Sequence, residues 1–189
     1  MKFLLRIAGA IDALNGHVGR AAYWLVLAAV LVSAANAMMR YTFNISSNAW
    51  LELQWYLFGG IFLLCSGYTL LHNEHIRIDV LAGRMSRRAQ SWIDVFGLML
   101  FLLPMALIIM WLSWPIFLDS YVHNETSLSA GGLIRWPAKL LIPVGFLLLA
   151  AQGVSELIKR IAFLLGLTPD ALEKHTEAAL EMVADEIVK

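Results

Sequence analysis

The sequence predicts an all-α integral membrane protein: four transmembrane helices, an amphipathic N-terminal helix and a short helical C-terminal tail. Three observations carry this prediction. Of 189 residues, 60% are hydrophobic and only 15% charged, against about 45–50% and about 25% in an average soluble domain. Four stretches are long, apolar and free of interior charge, each about the length a hydrocarbon core of roughly 30 Å requires. And the Lys and Arg residues lie mostly in one set of connections. The runs are continuously apolar rather than alternating, which favours helices over a closed barrel.

The elements follow in chain order. Residues 1–20 place Leu4, Ile7, Ala8, Ile11, Leu14 and Val18 at helical spacing. They read either as an amphipathic helix lying on the membrane surface or as an extension of the first span. Arg6 and Asp12 interrupt any signal-peptide core. Residues 21–39 form the first span, bracketed by Arg20 and Arg40. Residues 53–71 form the second and follow Glu52. Residues 79–90 combine Val80, Leu81 and Met85 with Arg84, Arg87 and Arg88, the composition of another interfacial segment. The third span, 95–118, contains Pro104, where a kink is expected because proline lacks the backbone donor. The fourth, 140–155, follows Ser129-Ala130-Gly131-Gly132 and Pro137, a loop and helix-start signal. Lys139 can snorkel outward and lengthen it. The membrane domain thus occupies 1–165, and 166–189 form a tail opening on Thr168-Pro169-Asp170.

Charge asymmetry sets the orientation. Eleven Lys and Arg fall in the N-terminal segment, the connection between spans two and three, and the tail; Arg40, Arg135 and Lys139 fall on the other side. The positive side is expected to be cytoplasmic, with both termini there. Net charge is zero, so nothing marks a nucleic-acid partner.

Chemistry-bearing residues are sparse. No Asp, Glu, Lys or Arg stands near the middle of a span, where secondary transporters hold their solutes. Glu52 is either a polar contact for a partner subunit or an interfacial carboxylate paired with Arg40 or facing water. No His lies inside a span, so a haem pair between facing helices is not expected. His72 and His75 are three apart, but with only Glu74 and Asp79 beside them they read as a polar cap rather than a metal site. One cysteine, Cys65, excludes disulfide frameworks and multi-cysteine metal sites. No phosphate loop, HExxH or GxSxG occurs. The sequence warrants neither an enzyme nor a cofactor. The rows Ala29/Ser33/Ala37, Gly59/Gly67 and Gly145/Gly153 allow close helix approach, within the chain or to a partner.

Three runs are diagnostic in combination: Arg40-Tyr-Thr-Phe-Asn44; Trp50-Leu-Glu52-Leu-Gln-Trp-Tyr56-Leu-Phe58; and His75-Ile-Arg77-Ile-Asp79-Val. With Gly131-Gly-Leu-Ile-Arg135-Trp136-Pro137, they make the chain resemble the small membrane subunit, the DctQ type, of tripartite ATP-independent periplasmic (TRAP) transporters. The resemblance covers about residues 15–165. It implies a bacterial or archaeal inner membrane. It also implies a scaffold role beside a large membrane subunit that carries the sodium and substrate sites, and a periplasmic binding protein that delivers organic acids. Membrane lipids are the remaining partners. Under that resemblance Arg40, Trp50 and Glu52 stand at the outer end near the partner, Arg77 and Asp79 fix the inner turn with His75 beside them, and Trp136 anchors at the outer interface. Members often carry two adjacent acidic residues at the start of span two; this chain has Glu52 alone. Two other readings remain: a membrane anchor for a redox enzyme, and a stand-alone small exporter using Glu52.

Overall fold

A computed structural model describes residues 2–44, 47–72 and 86–168. Four helices in it are long and apolar enough to cross a membrane: α1 (Lys2–Phe43), α2 (Asn48–Leu71), α3 (Arg87–Val122) and α4 (Trp136–Leu164). Each expected apolar stretch lies within one of them.

Local chemistry sets the helix ends. Ser47 and Ser86 stand before α2 and α3 in extended backbone, and their hydroxyls accept from the N–H groups of Ala49 and Ala89. This is the usual satisfaction of orphan donors at a helix start. Pro137 occupies the first turn of α4, where no donor is needed. At the far end of α4, Gly166 takes φ +71°. Its N–H reaches the Phe163 carbonyl at 2.9 Å and that of Leu167 reaches Ala162 at 3.0 Å, the Schellman closure. Asn124 does the same for α3 at φ 46°.

Within α3, residues Leu98–Leu102 form a π-helical turn, in which the Leu103 N–H bonds the Leu98 carbonyl. The turn ends two residues before Pro104. A widened turn is one way a helix absorbs a residue that cannot donate.

α4 is the centre. Half of its most apolar stretch is buried, against 11–17% for the other three helices. α1 and α2 pack side by side and both rest on α4, while α3 packs on α4 from another side. Close approach of α2 and α4 depends on Gly145: a β-carbon there would stand 2.7 Å from Leu63 Cβ and 2.8 Å from its carbonyl oxygen. Of the small-residue rows, Ala29, Gly67, Gly145 and Gly153 are buried inside the chain, whereas Gly59 has open space beside it.

Residues 2–20 are not set apart from the first span, because α1 is one continuous helix of 42 residues. Gly16 and Gly19 do not break it; Gly19 lies against the Tyr68 ring. The face that packs is also unexpected. Ala8, Asn15 and Gly19 are buried, while Leu4, Ile7 and Leu14 point outward. Small and polar residues therefore make the internal contact, and the larger apolar side chains Leu4, Ile7 and Leu14 face away from it. Of the segment 79–90, residues 79–85 lie outside the described residues. Ser86 caps α3, and Arg87–Gln90 form its first turn.

Candidate functional site

The polar side chains collect at the two ends of the helix assembly. At one end the connection 123–135 folds back as a short hairpin. Thr126 and Ile134 form an antiparallel bridge, the Ser127 N–H bonds the Leu133 carbonyl at 2.9 Å and that of Arg135 bonds Glu125 at 2.8 Å. Glu52, in the first turns of α2, reaches into this hairpin. One carboxylate oxygen accepts from the Ser127 hydroxyl. The other accepts from the Leu133 N–H at 2.7 Å. Gly132 leaves the space: a β-carbon there would lie 3.0 Å from Glu52 Oε1. Asn48 adds a bond from its side-chain amide to the Ala130 carbonyl at 3.1 Å.

Glu125 ties the base of the same hairpin to α4. It pairs with Lys139 and with Arg135 at 3.4 Å. The hydrogen bond from Lys139, with Arg135 beside it, lowers its carboxyl from the ordinary 4.5 to about 2. Charge-assisted bonds to the ionised form have this effect. Nearby, the Tyr121 and Trp136 rings meet edge to face, 5.4 Å between centroids.

The opposite end, where α1 begins and α4 finishes, holds a larger network. Asn15 is buried and donates to Gln152 Oε1 at 2.9 Å. The Gln152 amide donates to Asp12 Oδ1 at 2.8 Å, and the Ser155 hydroxyl donates to the same oxygen at 2.7 Å. Lys159 closes the cluster on Asp12 Oδ2 at 3.1 Å and on Glu156. On the other flank of α4, buried Arg160 pairs with Asp94 of α3 at 3.5 Å. Each of these side chains meets another polar group, as apolar surroundings require, although the buried Asn15 Oδ1 itself accepts no hydrogen bond.

The residues singled out from sequence fare differently. Glu52 meets neither Arg40 nor open water alone; its carboxylate is taken by the chain's own hairpin. Arg40 and Trp50 are exposed at this end, and Trp136 is half-buried against Tyr121. His75, Arg77 and Asp79 lie outside the described residues. The Asp12–Asn15–Gln152–Ser155–Lys159 network escaped the sequence reading. Its trace was there: Asp12 and Asn15 are three apart, and Gln152, Ser155, Glu156 and Lys159 follow the spacing of one helix face. What the sequence lacks is the pairing of one face with the other. No group of three or more His, Cys, Asp or Glu suited to a metal occurs among the described residues.

Among the described residues this arrangement is one of helix ties. At one end it ties α2 and α4 to the hairpin that follows α3, at the other it ties α1 and α3 to α4, and it leaves much of the lateral surface apolar. Comparison with protein families finds that the model described as "Tripartite ATP-independent periplasmic transporters, DctQ component" matches residues 21–163. No curated protein and no solved structure matches.

Proposed function

The chain belongs to the DctQ component family of tripartite ATP-independent periplasmic transporters, and from that premise we propose that it is the small scaffold subunit of a sodium-coupled importer of organic acids. Its partners in this reading are a large membrane subunit, which supplies the ion and substrate sites and the moving parts, and a periplasmic binding protein. The protein lies in the inner membrane with both termini cytoplasmic, in keeping with the eleven-to-three distribution of Lys and Arg. The hairpin 123–135 is then periplasmic, and the Asp12–Lys159 network lies toward the cytoplasm.

One observation carries the scaffold reading. The helices are joined at their ends by internal polar ties, but much of their lateral apolar surface is uncovered. Trp24 is 72% exposed, Trp55 75%, Phe62 78% and Trp111 75%. Aromatic area on that scale suits lipid and a large membrane partner together. A subunit that carried substrate itself would need polar groups at mid-depth, and the spans carry no charge there. Arg40 and Trp50 are exposed beside the hairpin and contact the large subunit in this reading. Glu52 acts indirectly, by holding the hairpin in place. Arg77, Asp79 and His75 are assigned to the cytoplasmic turn, and Trp136 to the outer interface.

The test is purification of the tagged full chain from its native membranes in mild detergent, with mass spectrometry of what remains bound. One large polytopic protein in about equal amount is the expected result. Reconstituted with the binding protein, the pair should then take up an organic acid only with a sodium gradient. A chain that emerges alone, or with a soluble redox enzyme, overturns the reading.

A further inference from the structure

α3 changes character part-way along. The part toward the hairpin, Leu103–Val122, packs closely along α4, whereas the first eleven residues, Arg87–Gly97, touch α4 far less. Trp92, Ile93 and Phe96 of that first part are exposed. The π turn Leu98–Leu102 stands between the two parts. Two residues beyond it, Pro104 has no N–H to give to the Leu100 carbonyl. Proline and π turns are both established sites of sharp helix bending.

Three further features surround this point. The π turn is seated on α4 at Gly153, where a β-carbon would stand 2.8 Å from the Leu102 side chain and 3.2 Å from that of Leu103. Between this seat and the start of α3, Asp94 pairs with buried Arg160 of α4 at 3.5 Å. And open space lies between Arg87–Gly97 and α2, part of a groove of about 710 Å³ whose α2 wall includes Phe62 and Leu70. Gly97 borders that space, and nothing stands within 4 Å of where its β-carbon would be. No side chain at 97 opposes an approach to α2.

We propose that Arg87–Gly97 is a hinged arm. It turns about the π turn between a position latched on α4 by Asp94–Arg160 and a second position tilted into the open space toward α2, while Leu103–Val122 stays on α4. The ion pair favours the first position; van der Waals contact between apolar walls, the force that joins helices in lipid, favours the second. A bend of about 20°, acting over the roughly 15 Å of helix from Leu98 back to Arg88, moves the tip of the arm by about 5 Å. In the scaffold reading above, the cytoplasmic part of α3 can then follow a moving neighbour while the periplasmic part stays fixed. The hinge itself is a property of the isolated chain.

The test is double electron–electron resonance on the full chain in lipid nanodiscs. Cys65→Ser removes the native thiol, and nitroxides are attached at Arg88→Cys and Leu14→Cys. Both positions are exposed, and α1 is held to α4 near Leu14 by the Asp12 network. Two distance populations about 5 Å apart are expected. Asp94→Asn weakens the latch and should shift their ratio about fivefold toward the tilted position. Gly97→Leu places a side chain in the space, and Pro104→Ala restores the missing donor; each should leave only the latched distance. A second pair at the exposed positions Trp114→Cys and Phe58→Cys reads the other part of α3 and should give one distance in every variant. A single distance for the first pair, unmoved by Asp94→Asn, overturns the proposal. So do two populations that persist in both Gly97→Leu and Pro104→Ala. Two populations in both label pairs overturn it as well, since α3 would then move as one body.

Discussion

Glu52 shows how a residue that looks like a binding group can be structural. It stands at the start of α2, and its two acceptor oxygens are taken by Ser127 and the Leu133 N–H, 75 and 81 positions away. No spacing within one element announces such a contact, so the sequence offered a partner subunit, Arg40 or solvent as partners. Glu125 does the companion task for α4, and here pH supplies a test. Its carboxyl lies at about 2 in the folded protein against an ordinary 4.5. The group is depressed, so its contribution is fully present above the ordinary value. It is lost as the pH falls from about 4.5 to about 2, because the unfolded chain takes up the proton first. The protection of the 125–134 amides, relative to their intrinsic exchange at each pH, should fall over that acid range. In Glu125→Gln the hairpin should exchange faster already at neutral pH, with no comparable acid step. Glu52→Ala should speed exchange at the Leu133 amide above all, since that N–H loses its acceptor.

At the scale of elements, composition made the four apolar helices legible, because a long uncharged run in lipid has few alternatives. The boundaries and the faces were less so. α1 runs unbroken through a segment whose apolar stripe suggested a surface helix. The polar face of that segment found partners on α4, and this pairing is invisible until both helices are in place. The π turn before Pro104 was likewise foreshadowed only as a kink. Gly145 and Gly59 look alike in sequence, yet a β-carbon at one would meet Leu63 and at the other only open space. Gly145→Leu should therefore cost about 1–3 kcal/mol, the usual range for an overpacked contact, and lower the thermal midpoint of the purified chain. Gly59→Leu should leave the midpoint unchanged or raise it slightly, as leucine favours helix. Equal midpoints for the two variants would show that α2 and α4 do not depend on the close approach at Gly145.

The whole molecule is an open assembly around α4 rather than a closed bundle. α1 and α2 support each other as well as α4, whereas α3 draws its packing from α4, with Asp94–Arg160 as its polar tie. Protection from local opening follows contact density. In the isolated chain the α3 amides should exchange faster than those of α2, and binding of the large membrane subunit should slow α3 if that subunit covers it. Exchange mass spectrometry with and without the subunit reads both effects. The central place of α4 also bears on biogenesis. A chain made from its N-terminus delivers the helix that all the others need last. Until it arrives, α1 and α2 can find each other, but Asp12 and Asn15 wait without Gln152, Ser155 and Lys159, and α3 waits without a protein neighbour. Insertion of the final helix is thus the step that turns three loosely held segments into one subunit, and an interruption of synthesis before residue 136 leaves the surfaces that α1, α2 and α3 would turn to α4 open to the membrane's quality-control proteases.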